Sequence, residues 1–511
     1  MKNVLNKKQE IIQDIAMFST SSYFAHLAYF VRGFLNAHIV GPSMYGLWSA
    51  LNIIFSFVFC PTLGVLDGMS REIPYSIGKG DYANADRVRA NAFGFSLIAS
   101  IIASISIIIV SLFFKRSLGL TGIIGILTVS IMIIVQNVEN FYEMALSAEK
   151  RFSLISVANV LFPILCVILT LILVTKWGIY GIYGVAIFGP LAFCLFFYFT
   201  TRYKPNLKFD IKESFRLIKI GSPLLILSLV PFVLFTIDKI LILKFLGTTE
   251  LGYYTIGLLI CMPLLYLPGI VGMVVEPMLF HKYGESEEIE DLRKYLFVPA
   301  KVMAVFLPLL IAVVYFASSF IIRHLLVQYT ASLSPLFILL FGKFFLLFSP
   351  TTKGLLTALH KQDKMLYFYL IAVFLSTILD VFVLRLGLGL VGVAFVTALV
   401  GFLLGTSLFI YVSKFYLKKG WRCLIACAKL YIPYIYILGV TIFLNFIIEN
   451  SDAFFQDLLL VFLKIIIITI LSMPFIWYLN RRIRFSEEVA LILKSKWKAL
   501  FLGNMNKAYI Q

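Results

Sequence analysis

Apolar runs of about twenty residues recur along the whole chain, and no other feature constrains its fold as much. A helix rises about 1.5 Å per residue, so about 20 residues cross a hydrocarbon core about 30 Å thick. Fourteen runs can be delimited as spans one to fourteen: 16–40, 45–69, 91–114, 121–146, 154–175, 180–200, 221–246, 251–277, 298–320, 332–358, 366–386, 389–412, 430–448 and 457–479. Inside lipid every backbone group must be satisfied within the protein, which leaves helices and closed barrels. Barrel strands would be about 10 residues long and would alternate in polarity. These runs do neither, so the predicted class is an all-α polytopic membrane protein with about fourteen transmembrane helices. Composition agrees: 61% of the 511 residues are hydrophobic, 14% are charged, and mean hydropathy is +0.96. Soluble domains carry about a quarter charged residues, so a soluble enzyme, a disordered chain and a fibrous protein are excluded.

The formal charge of +18 would suggest nucleic acid in a soluble protein. Here topology explains it, and no nucleic-acid partner is expected. With the N-terminus inside, and with Lys301 and Arg385 at the edges of spans nine and eleven counted in the adjoining segments, 33 of the 44 Lys and Arg residues fall in cytoplasmic segments, while only Lys115, Arg116, Lys176, Arg323 and Arg385 fall in outer joints. This positive-inside bias predicts that both termini are cytoplasmic and that the number of spans is even. Cys60, Cys166, Cys194 and Cys261 lie in apolar runs; Cys423 and Cys427 lie on the predicted cytoplasmic side, and no zinc spacing occurs. No metal and no cofactor are expected. The first run carries His26, Arg32 and His38, too polar for a cleavable signal. After residue 480 basic residues interleave with Leu491, Trp497 and Phe501, the pattern of an amphipathic helix on an anionic inner leaflet.

The chain repeats itself. Gly41 to Gly46 joins spans one and two, and Gly247 to Gly252 joins spans seven and eight, 206 residues later with glycine at the same two places. Gly181 and Gly184 open span six, and Gly389 and Gly392 open span twelve, 208 residues later. Six spans separate the copies, so they share one orientation and form a parallel repeat. The expected organisation is an N-terminal six-helix lobe at 1–212, a second at 213–415, helices thirteen and fourteen at 416–480, and the basic tail at 481–511. Such halves enclose a substrate path along their pseudo-symmetry axis.

Four stretches bear a family likeness: Gly-Pro-x-x-Tyr-Gly-Leu-Trp at 41–48, Arg71-Glu72-Ile73-Pro74, Lys361-Gln362-Asp363-Lys364, and Gly-Leu-Val-Gly-Val-Ala at 389–394. In order and spacing, over most of 15–412, the chain resembles polysaccharide flippases of the MOP exporter superfamily, nearest to the Wzx-type transporters of lipid-linked O-antigen units. Fourteen spans are more like the lipid II flippase branch. The resemblance implies a flippase that moves undecaprenyl-pyrophosphate-linked oligosaccharide from the cytoplasmic to the outer leaflet by alternating access. The setting would be polysaccharide biosynthesis, such as lipopolysaccharide assembly, in a bacterial plasma membrane (the inner membrane of a Gram-negative cell). The implied partners are the lipid-linked glycan, membrane lipids, a coupling cation (H+ or Na+) and other polysaccharide assembly proteins.

An ionisable side chain at mid-membrane costs roughly 2.5 kcal/mol or more, so intramembrane charges are the site candidates. Arg32 shares a helical face with Ser21, Ala25, Ala28 and Asn36. The resemblance puts this arginine on the central cavity, where a guanidinium grips phosphate in a fork. The alternative is a snorkelling or structurally paired arginine. Asp238 lies 206 residues after Arg32, so the two are candidates for a gate pair; the alternative is local pairing of Asp238 with Lys239. Lys343 and Lys353 on span ten are candidate phosphate ligands. The fourteen-span relatives suggest that Lys464 lines a lipid-tail groove. Asp67, Arg71, Glu276 and Asp380 are candidates for gating or coupling.

No G-x-x-x-x-G-K-[ST] loop occurs, so an ion gradient, the substrate gradient or the membrane potential must drive transport. The potential supplies about 2.3 kcal/mol per charge per 100 mV. No long outer loop carries paired carboxylates, and the five histidines show no nucleophile–base spacing, so no enzyme is predicted. Two other readings stay open. A cation-coupled multidrug antiporter of the same superfamily would want an acidic cavity. A membrane glycan polymerase or glycosyltransferase would transfer sugars itself.

Overall fold

The computed structural model describes residues 2–201 and 209–483. The basic tail from residue 484 onward lies outside the described residues. Among the described residues there are helices and turns but no strand. Among the described residues twelve elements are long and apolar enough to cross a membrane. The first, Met17–Thr62, covers span one and most of span two, because the helices on either side of Gly41 run on through a kink; the end of span two falls in helix Val65–Gly78. The eighth span lies within helix Thr248–Ser286. The protein is a multi-pass, all-α membrane protein.

The kink follows from the residues. Gly41 takes φ 77°, ψ 172°, a backbone that L side chains rarely adopt, and Pro42 then removes a helical N–H. Other spans are interrupted too. Span five ends in a π-helical stretch, Thr170–Val174. Span ten runs as Leu333–Gly342, a 3-10 stretch Lys343–Phe348, and Ser349–Ala358. Such breaks in a membrane helix are tolerated where protein or water re-satisfies the freed backbone groups.

The chain forms two compact units that alternate along the sequence. The first comprises Met1–Tyr266, Leu325–Leu339 and Leu366–Val400; the second comprises Leu267–His324, Leu340–Met365 and Gly401–Gln511. In the first unit span one packs along span five, span three along span four, and helix Val65–Gly78 along helix Ile211–Leu234. Val65, Met69, Val88, Phe141, Tyr142, Phe197 and Leu217 are among the residues of its core. In the second unit helix Arg293–His324 packs against helices Gly420–Ile447 and Phe454–Ile483.

The 206-residue offset read from the sequence reappears as contacts within the first unit. A methyl group on Gly46 would overlap the Thr248 carbonyl, and one on Gly252 would overlap the Pro42 carbonyl. One turn further on, Ser49 and Thr255, also 206 apart, share a hydrogen bond of 2.6 Å. Each copy of the turn therefore packs against the other reciprocally, as across a pseudo-two-fold axis. Small residues let the backbones approach to contact distance, which drives helix association where lipid offers no hydrophobic contrast.

Candidate functional site

Two clusters of polar side chains lie inside the first unit. One is built on span one. Ser21, Ala25 and Asn36 are buried and Arg32 half-buried, so the predicted polar stripe faces protein. The Arg32 guanidinium sits 5.2 Å from the centre of the Tyr29 ring, a cation–π arrangement. Cys166 on span five is a further neighbour of Arg32. Glu139 and Glu143 on span four, one helical turn apart, lie within electrostatic reach of the same Tyr29. No carboxylate lies within ion-pair distance of Arg32 among the described residues. Glu139 Oε2 and Asn36 Oδ1 are buried without a hydrogen-bond partner in the protein. The cluster thus holds one cation free of a tight counter-ion, beside unsatisfied oxygen atoms in a half-open setting.

The other cluster joins spans seven, eight, eleven and twelve. Asp238 and Asp380 are 4% and 0% exposed, and they interact electrostatically. The Tyr254 hydroxyl donates to Asp238 Oδ2 at 2.6 Å and lies 3.2 Å from Thr397 Oγ1. The Lys239 backbone N–H donates to Asp238 Oδ1 at 2.7 Å. The Ser376 hydroxyl donates to Asp380 Oδ2 at 3.0 Å, while Asp380 Oδ1 is buried without a partner in the protein. Two like charges sealed in low dielectric are costly unless a proton or a cation lies between them. Hard oxygen donors of this kind suit an alkali cation or H+. Among the described residues no group of three or more His, Cys, Asp and Glu side chains gathers as a metal site would require.

The sequence brought Arg32 and Asp238 together as a gate pair, but no ion pair joins them in this structure: Arg32 lies beside Tyr29 and Cys166, and Asp238 is engaged by Tyr254. Asp380, by contrast, lies within electrostatic reach of Asp238. Neither Glu139 and Glu143 nor the hydroxyl partners Tyr254, Ser376 and Thr397 were singled out by the sequence. The two glutamates carried a usable signal, since they are the only charged residues in span four. A tyrosine or threonine in an apolar run carries none.

The remaining candidates are scattered. In the first unit Asp67 is half-buried near the start of helix Val65–Gly78 and Arg71 is exposed, while the neighbouring Glu72 accepts from Arg216 at 2.9 Å. In the second unit Lys343 is buried at the break in span ten, and Lys353 is exposed beside the half-buried Glu276. Lys464 is 1% exposed and donates to Asn450 Oδ1 at 2.9 Å and to Asn445 Oδ1 at 3.4 Å. Nearby, Arg323 and His324 meet the fully buried Asp457 at 3.0 and 2.9 Å. Lys464 is therefore tied into a polar network among helices nine, thirteen and fourteen, and its ammonium is not presented to lipid.

The fold is an all-helical bundle of membrane-spanning helices with buried charges, and solved structures of the same architecture are known. The solved structure of a lipid II flippase, MurJ, in an inward closed conformation superposes with TM-score 0.68 at 19% identity, covering 91% of this chain and 99% of that one. An inward-facing multidrug resistance MATE family transporter of the MOP superfamily gives TM-score 0.63 at 17% identity, covering 79% and 96%. A MOP superfamily transporter from Pyrococcus furiosus, described as having a binding pocket of reversed polarity, gives 0.52 at 16%, covering 80% and 96%. The chain thus shares the fold of these three proteins. No protein of curated function matches the chain. The model of the polysaccharide biosynthesis protein family matches residues 36–335, more than half of the chain, and the chain belongs to that family.

Proposed function

We propose that the protein is a flippase that carries an undecaprenyl-pyrophosphate-linked oligosaccharide from the cytoplasmic to the outer leaflet of the bacterial plasma membrane. Membership of the polysaccharide biosynthesis family is the observation that carries this reading. The likeness to a lipid II flippase over nearly the whole chain supports it. Arg32 is the residue suited to the pyrophosphate: its guanidinium has no tight counter-ion, and Asn36 beside it offers an amide to sugar or phosphate. Lys343 and Lys353 add positive charge in the second unit. The Asp238–Asp380 pair takes the coupling cation, H+ or Na+. Loading it neutralises a buried repulsion, and so biases whichever conformation seals the pair. The excess of cytoplasmic Lys and Arg sets both termini inside.

The test is a strain lacking the protein. Lipid-linked oligosaccharide should accumulate on the cytoplasmic side, out of reach of a lectin added to right-side-out vesicles, and the intact gene should restore outer exposure. Unchanged exposure would overturn the flippase reading. A cation-coupled drug antiporter is the second reading, favoured by the buried acidic pair and by the likeness to the MATE transporter. It predicts drug sensitivity in the same strain with no change in lipid-linked glycan.

A further inference from the structure

The second unit holds a groove that the transport reading does not use. It is about 770 Å³ in volume and lies among helices Arg293–His324, Gly420–Ile447 and Phe454–Ile483. Four cations line it, Arg293, Lys301, Arg422 and Lys429, and no carboxylate does. The rest of the lining is aliphatic, aromatic or proline, with Ile425, Ile432 and Phe475 as examples. Two of the three helices belong to spans outside the six-span repeat.

The cations are not accounted for by pairing. Arg293 meets Glu290 at 3.0 Å, but both side chains are exposed and such a pair is worth little. Lys301, Arg422 and Lys429 have no carboxylate within ion-pair distance among the described residues. The arrangement is also unfavourable for the bare protein. Arg293 and Arg422 sit in the first turns of their helices, where the positive end of the helix dipole repels them. Lys301 and Lys429 lie eight and seven residues further on, about 11–12 Å deeper at 1.5 Å per residue. Both helices start at the same end of the groove, so the cations form two tiers above an apolar wall. An anion at the mouth relieves both the dipole conflict and the mutual repulsion. An acyl chain covers the wall below it.

We propose that this groove is a binding site for an anionic phospholipid that is resident and not carried. Its phosphate is held by Arg293 and Arg422, its glycerol ester oxygens by Lys301 and Lys429, and one acyl chain lies along Ile432, Pro433 and Phe475. Charge complementarity selects the occupant, since a zwitterionic headgroup brings its own cation into a site that already has four.

The full-length protein, purified in detergent, is tested by native mass spectrometry and thermal unfolding with added phosphatidylglycerol, phosphatidylethanolamine or glycerol phosphate. One phosphatidylglycerol should remain bound at activation energies that strip phosphatidylethanolamine. The Lys301→Ala/Lys429→Ala variant should retain at least tenfold less of it. Lys79→Ala, an exposed lysine far along the sequence from the groove, should retain the wild-type amount, and Lys301→Arg/Lys429→Arg should recover most of it. If the double alanine variant does not fold, Arg422→Ala alone should lower retention severalfold. Equal retention of the two lipids, or retention unaffected by the folded variants, would overturn the proposal. Competition by glycerol phosphate as effective as by lipid would reduce the groove to an anion site. Displacement of phosphatidylglycerol by equimolar undecaprenyl phosphate would assign the groove to the cargo and remove the resident lipid.

Discussion

Arg32 and Asp238 stand 206 residues apart, at equivalent points of the repeat, and their surroundings have opposite chemistry. The guanidinium is half-exposed, lies over an aromatic ring and has carboxylates only at longer range. The carboxylate is sealed, doubly hydrogen-bonded and faced by a second buried carboxylate. The contacts at the repeat's centre are nearly symmetrical, because Gly46 and Gly252 leave no room for anything else. Away from that centre the side chains diverge. A repeat fixes backbone geometry where two copies touch, and it leaves each copy free to adopt its own electrostatics. A half-open cation suits an anion of variable size, whereas a closed acidic pocket suits a small ion or a proton.

The sealed site should be the more sensitive of the two. Asp238→Asn or Asp380→Asn removes the charge that a coupling cation needs. Cargo transport in proteoliposomes should fall about 100-fold, equivalent to about 2.7 kcal/mol. The melting temperature should hold or rise, since each change also removes a like-charge repulsion. Near-normal transport by Asp380→Asn, with and without an imposed Na+ or pH gradient, would show that the pair is structural.

The half-open site should respond by degrees. Arg32→Ala should weaken apparent cargo affinity about tenfold, or about 1.4 kcal/mol. Arg32→Lys should lie between the two, because an ammonium keeps the charge and loses the fork. An alanine variant with unchanged affinity would remove Arg32 from the binding site. The comparison is sharpened by exchange: Arg32→Asp combined with Asp238→Arg should be no more active than either single variant, since the two side chains do not pair in this structure. Recovery of transport would mean that they meet in another state of the cycle.

Much of this molecule was legible beforehand, for identifiable reasons. Span length and apolarity are dictated by the bilayer, so the helices could be counted from the chain alone, including the eighth inside Thr248–Ser286. The glycine spacing at 41–46 and 247–252 disclosed the repeat, because a close backbone approach admits few residues. Asp380 was legible as an intramembrane charge, and its pairing with Asp238 was not, since pairing depends on how helices eleven and seven cross. Lys464 was legible for the same reason, but its partners Asn445 and Asn450 lie on or after another helix and decide its role. Tyr254, Ser376 and Thr397 were invisible: a hydroxyl in an apolar run can bond its own helix backbone, as Thr397 does to Val393, and so announces nothing.

The smallest expected effect probes the one place where the two repeats are alike. Thr255 donates its hydroxyl hydrogen to the Leu251 carbonyl at 2.7 Å, so Ser49 must be the donor in the 2.6 Å bond between them. Ser49→Ala and Thr255→Val should each cost about 1 kcal/mol of stability, the net worth of one hydrogen bond. The double variant should cost little more than the worse single, because both changes remove the same contact, leaving a coupling energy of about 1 kcal/mol. Cargo transport should be unchanged throughout, since neither side chain touches the Arg32 or the Asp238 cluster. Fully additive losses would mean that the two hydroxyls do not share a bond in the membrane, and the pseudo-axis would then rest on the glycine contacts alone.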